Sequence, residues 1–220
     1  MKGSKSLIQT SQLTLVLALL MCGVGCNNTN MNMPWSGNSS ATVHSMEKVH
    51  DDLAKASVQL NRTNALLDQL GQEKDLQSNF KNYTDAVHDL QKAADAAKAR
   101  GAQMREKRDA YLAAWQKEAE TIKNPEVKEG VEARQQRIRD NFSHITELAD
   151  QARDAYAPYL QDLQDVEDAL KKDLTPAGVK AIAPGIAKAK ADGDTLAKKL
   201  DALGVEIDKV QGRITPAPKT

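Results

Sequence analysis

The sequence predicts an all-α fold, a long antiparallel coiled-coil bundle of three to four helices. Three observations predict it. From about Ala41 onward, apolar residues recur every seven positions with a second set offset by three or four, the seam of supercoiled helices. Ala, Leu, Lys, Asp, Gln and Glu dominate that region and β-branched runs are absent, a composition that favours helix. Aromatic residues make up only 4% of the chain, which suits a thin core of Leu, Ile, Val and Ala and argues against a broad one. The 30 basic and 30 acidic residues cancel, so the basic excess of a nucleic-acid binder is missing.

Residues 1–25 differ from the rest. Lys2 and Lys5 form a basic start, Leu13 to Gly25 are apolar, and no acid interrupts them. That is the layout of a secretory signal peptide. The apolar run is shorter than the ~20 residues of a spanning helix, which makes a signal-anchor the lesser reading. Cys22 and Cys26 stand at its end. Gly23-Val24-Gly25-Cys26 resembles a bacterial lipobox, in which the cysteine is acylated and becomes the new N-terminus. Val24 and Gly25 fit that pattern, while Gly23 stands where it has Leu. Met21 is too large for the cleavage position before Cys22. Cleavage in the same region without acylation would leave Cys26 as a spare thiol. The resemblance implies lipid attachment at Cys26, a membrane partner through that anchor, and an address in the bacterial cell envelope. Asn27 is not the Asp that retains such proteins at the inner membrane, which implies the outer membrane, facing the periplasm. Removing residues 1–25 takes away Lys2 and Lys5 and no acid, so 28 basic residues face 30 acidic ones, a net charge of −2.

Residues 26–40 read as a lipidated, flexible tether. Asn, Ser, Gly and Pro dominate it, and a coil of that length spans about 20 Å root-mean-square. Asn-x-Ser/Thr sequons occur at Asn27, Asn38, Asn61, Asn82 and Asn141, and carry no weight in a bacterial lipoprotein.

The helical domain is expected over 41–215, with helices near 42–70, 75–122, 126–173 and 176–214 and a disordered tail at 216–220. In the first, Met46, Leu53, Leu60 and Leu67 alternate with Val49, Ala56, Thr63 and Leu70. In the second, Phe80, Val87, Ala94, Gly101, Trp115 and Ile122 alternate with Tyr83, Leu90, Ala97, Met104 and Tyr111. Arg108 and Glu118 interrupt this seam, as register devices or where it meets solvent. The third carries a wider stripe, from Val131 through Ile138, Ile145, Ala152, Tyr159 and Val166 with companions at +3 and +4, as a helix facing two neighbours needs. The fourth has Val179, Ile186, Leu200, Ile207 and Ile214 in one column, with Gly193 filling its remaining place.

Boundaries have local causes. Gly71 suits a helix end, and Asp75 or Ser78 can cap the second helix. Asn124-Pro125-Glu126 and Thr175-Pro176 each offer a cap followed by Pro at the first helical position. Pro158 and Pro184 lie off the seams and should kink their helices. Short links make neighbours antiparallel.

The stretch Met46-Glu47-Lys48-Val49, the region from Ala110-Tyr111-Leu112 to Trp115 and the long Ala/Asp/Leu tail resemble an uncharacterised bacterial envelope family. Its members are predicted coiled-coil lipoproteins with a single helical domain of unknown function. The resemblance covers about residues 45–210 and implies no catalytic residue.

Chemical motifs are sparse. Glu47-Lys48-Val49-His50 has the E-x-x-H spacing of di-metal bundles, but no second copy exists and both residues flank the seam. Trp115, Tyr156 and Tyr159 read as core, not as an aromatic cage. Lys188, Lys190, Asp192 and Asp194 read as solvated surface. No catalytic, cofactor or metal site is therefore expected, and no nucleic-acid partner. The expected function is that of an envelope-tethered spacer or interaction scaffold, with the protein partner unspecified and homo-oligomerisation left open. The alternative is an amphipathic lipid-binding bundle, for which the third helix's wide stripe is the best feature.

Overall fold

The computed structural model describes residues 34–71 and 75–215, with side chains from Ser39. The expected signal peptide, Cys26, the first part of the expected tether and the expected disordered tail at 216–220 lie outside the described residues. The elements are α1 (Pro34–Leu70), α2 (Leu76–Glu120), α3 (Pro125–Lys172), α4 (Pro176–Ala181) and α5 (Ala183–Ile214). No strand occurs among the described residues. At 1.5 Å per residue, the 48 residues of α3 extend about 72 Å.

The four long helices run up, down, up, down, and cross-helix contacts fix the register. Arg62 meets Asp89 and Asp52 meets Arg100, which sets α1 antiparallel to α2. Gln135 reaches the Leu112 carbonyl and Tyr83 the Leu163 carbonyl, which sets α2 antiparallel to α3. Lys188 meets Asp162 and Arg213 meets Asn141, between α5 and α3. Lys190 meets Asp68 and Gln211 meets Glu47, between α5 and α1. Each long helix thus has two sequence-antiparallel neighbours around a common interior.

That interior divides into two apolar clusters. One gathers Leu60, Leu67, Tyr83, Leu90, Tyr159, Leu163, Val179 and Leu196. The other gathers Met46, Val49, Met104, Tyr111, Phe142, Ile145, Leu203 and Ile207. Between Leu90 and Met104 no residue of α2 is fully buried, and the expected seam residues Ala94, Ala97 and Gly101 there are only half-buried.

Every residue expected on the first seam is buried. The second seam departs from expectation. Tyr83, Leu90, Met104 and Tyr111 are buried as expected, but the stripe then moves one place, to Leu112 and Ala119. A straight helix drifts ~20° per heptad from a strict seven-residue repeat, so five heptads move the buried face by one residue. Glu118 therefore does not interrupt the core; Ala119 occupies the place instead.

Three boundaries also differ. α1 starts at Pro34, so residues 34–40 belong to the helix and not to a tether. Pro supplies the preset φ of a first helical residue there. The fourth helix is two: it breaks at Ile182, and Pro184 lies in the first turn of α5, where its missing N–H is not needed. Pro158, in contrast, stays inside continuous α3. Asp75 is the N-cap of α2, but in the left-handed region (φ 53°) and with no side-chain capping bond.

The other caps form as the sequence indicates. The Asn124 side chain accepts from the Glu126 and Val127 amides at 3.0 and 3.2 Å. Thr175 accepts from the Gly178 amide at 3.0 Å. A Cβ at Gly178 would run into the Asp173 carbonyl, so only glycine permits this tight α3–α4 turn.

Candidate functional site

The most structured polar site is a layer inside the first cluster. Tyr159 on α3 is fully buried, and its hydroxyl donates to the Asn64 side-chain oxygen on α1 at 2.7 Å. The Asn64 amide group points on toward Asp194 on α5 at 3.4 Å. Asn64 can enter the interior because residue 193, beside it on α5, is glycine: a Cβ there would collide with the carboxamide. Next along α1, Thr63 donates to the Gln59 carbonyl at 2.8 Å and touches the Ala86 carbonyl of α2 at 3.5 Å. Burial raises the Tyr159 and Tyr83 hydroxyls well above the ordinary tyrosine range, and pushes Tyr156 up to about 12. All three are neutral donors at physiological pH. The layer links all four long helices: α3 to α1 through Tyr159 and Asn64, α1 to α5 through Asn64 and Asp194, and α1 to α2 through Thr63 and the Ala86 carbonyl.

Two grooves open on the surface. One, of about 420 Å³, lies where the end of α1 meets α4 and α5, with Leu67, Leu70, Val179 and Ile186 in its wall and Lys180 and the Asp68–Lys190 pair beside them. The other, of about 260 Å³, runs between α1 and α5 along Leu53, Ala54, Gly204 and Val205. His50 and Asp208 stand in it, 3.5 Å apart.

The residues singled out in the sequence are dispersed. Glu47 contacts His44 at 3.2 Å and Gln211 at 3.4 Å, while His50 turns to Asp208. Among the described residues no three His, Cys, Asp or Glu converge as a metal site would require. Trp115 packs on Tyr111 with ring centroids 5.6 Å apart, in the cluster that does not contain Tyr156 and Tyr159. Arg108 is neither free in solvent nor deeply buried. Its side chain is 19% exposed, bonded to neighbouring Asp109 at 2.8 Å and reaching Thr146 of α3 at 3.5 Å. The Lys188–Asp194 cluster is more than solvated surface. Lys188 bonds Asp162 of α3 at 2.6 Å and Asp192 at 2.9 Å, and Lys190 grips both oxygens of Asp68 on α1 at 2.7 Å. α5 is thereby clamped to both neighbours.

The family model for a protein of unknown function (DUF2959) matches residues 38–210, nearly the whole bundle. The chain belongs to that family. No curated protein and no solved structure matches it. The DUF2959 match begins inside α1 and ends inside α5, so the unit shared by the family is the four-helix bundle itself. The polar layer at Asn64, Tyr159 and Gly193, the clamp at Lys188 and Lys190, and both grooves fall within it.

The sequence reading missed Asn64 and Gln135, which are buried although polar. Gln135 satisfies itself on the Leu112 carbonyl at 3.2 Å. Asn64 left one sign in the sequence: a glycine in an otherwise apolar column marks a place that another side chain must fill.

Proposed function

We propose that the chain is an envelope-tethered lipoprotein that acts as a coiled-coil spacer or protein-interaction scaffold, without catalysis. The observation that carries this reading is the interhelical locking. Asp52–Arg100, Arg62–Asp89, Lys188–Asp162 and Lys190–Asp68 join the helices over the half of the bundle where α1 ends. Exposed pairs contribute little stability each, but a series of them fixes helices of this length in one register. A stiff body with mixed-charge faces is suited to reach and surface presentation. Cys26, at the end of an apolar run that follows a basic start, supports the anchor, and Asn27 supports the outer membrane facing the periplasm.

The alternative is an amphipathic lipid-binding bundle, whose helices would have to open to present their apolar faces to lipid. The wide apolar stripe of α3 is occupied, with Tyr159, Leu163 and Val166 buried in the bundle interior. Changing Cys26 to Ala tests the anchor. The variant is expected in the soluble envelope fraction, and the native chain in membranes with an acylated N-terminal cysteine. An unmodified N-terminus at another residue, found by mass spectrometry, defeats the reading.

A further inference from the structure

We propose that the tip of the α2–α3 hairpin rests on the zwitterionic headgroup surface of the membrane that carries the anchor. The proposal rests on acylation at Cys26 and adds to it which end of the bundle meets the lipid. Register places the start of α1 at this tip. Thr42 bonds the Lys107 carbonyl. From that level α1 runs back to Pro34 over about 12 Å, and α2 runs on to Glu120 over about 20 Å, at 1.5 Å per residue. The hairpin turn therefore stands only about 8 Å beyond the first residue of α1. Eight chain steps separate Cys26 from Pro34 and span at most ~29 Å. The opposite end of α1 is about 54 Å farther along the helix axis.

Among the described residues α5 does not reach this tip. α5 ends at Ile214, where Arg134 donates to the Arg213 carbonyl and Arg213 bonds Asn141, so α3 before Arg134 extends past it. On this projecting part of α3 Val127 is 52% exposed, and beside it Trp115 near the end of α2 and Ile122 in the turn are only half-buried. Lys117, Lys123 and Lys128 alternate with Glu118, Glu120, Glu126 and Glu129 around them. Mixed charge gives no preference for anionic lipid, since attraction to such lipid scales with basic excess. It suits zwitterionic headgroups, with the apolar side chains at the interface.

The test uses the full chain purified from membranes and reconstituted in phosphatidylcholine vesicles. Single reporter cysteines are placed by Val127→Cys or Glu126→Cys at the tip and by Lys172→Cys at the far end, each labelled with an environment-sensitive dye. Headgroup spin labels are expected to quench the tip dyes several-fold more than the dye at 172, with no change when phosphatidylglycerol is added. Equal quenching at both ends, or stronger quenching at 172, in an acylated chain that floats with vesicles overturns the tip placement alone. A chain without an acyl group on Cys26 overturns the anchor and the placement with it.

Discussion

The Tyr159 hydroxyl and the Asn64 carboxamide oxygen lie 2.7 Å apart on opposite helices, α3 and α1. Phe at 159 would leave that oxygen buried without its donor, at a cost of about 1–3 kcal/mol. Tyr83 makes an equally short bond, but to the Leu163 carbonyl within α3. A net cost of about 0.5–1.5 kcal/mol is expected for Tyr83→Phe. Urea denaturation of the two variants should rank Tyr159→Phe as the more damaging. The reverse order would mean that Asn64 finds another partner.

Glycines at two helical positions should respond oppositely to alanine. At Gly193 the new methyl meets Asn64, and overpacking of this kind costs about 1–3 kcal/mol. Gly130, inside α3, has nothing within 4 Å of a Cβ. There the gain in helix propensity, up to about 1 kcal/mol, stands alone. Melting midpoints should fall for Gly193→Ala and rise for Gly130→Ala.

Arg108→Leu is expected to be neutral or to raise stability by about 1 kcal/mol, as apolar replacements of half-buried charges often do. Thr146 keeps its bond to the Phe142 carbonyl at 3.0 Å and is not orphaned. Because Asn64 and Gly193 already fix how the helices meet, the oligomer distribution should not broaden. Thermal denaturation and analytical ultracentrifugation read the two effects separately.

Alkaline pH should unfold the bundle. All four tyrosines have raised pKa values, chiefly through burial. A tyrosine raised in the fold above its unfolded value of 10.0 contributes no pH dependence below that value. Above it the unfolded chain loses protons that the folded chain retains, so stability falls as pH rises further. Tyrosinate absorbance and helical circular dichroism should then change together. Ionisation near 10.0 with the helices intact would contradict the burial of these hydroxyls.

Much of the bundle is legible in the residue pattern. The columns through Met46–Leu67 and Ile138–Val166 are buried in full, since an apolar repeat and an antiparallel partner require each other. The caps at Asn124 and Thr175 are legible for a similar reason: they need only neighbours in sequence. What the pattern hid depends on geometry accumulated over distance. The shift from Glu118 to Ala119 follows from helical drift over five heptads, invisible in any single one. The break at Ile182 was hidden because Ala189 and Leu196 continue the column of Ile182 across it. Asn64 sits beside the seam, and its burial depends on α3 and α5, which lie 95 and 130 residues away. The Lys188 and Lys190 clamps were read as surface because their partners, Asp162 and Asp68, belong to other helices.

The fit of Asn64 against Gly193 also couples the mutational steps open to this chain. A side chain at residue 193 is costly while residue 64 keeps its carboxamide and less so once residue 64 is smaller, so the two positions are epistatic. Shrinking residue 64 strands the Tyr159 hydroxyl, and replacing Tyr159 by Phe strands the Asn64 oxygen, so the exchange passes through a less stable intermediate in either order. Three sites on three helices are therefore coupled, and a change at any one of them costs least when the other two change with it.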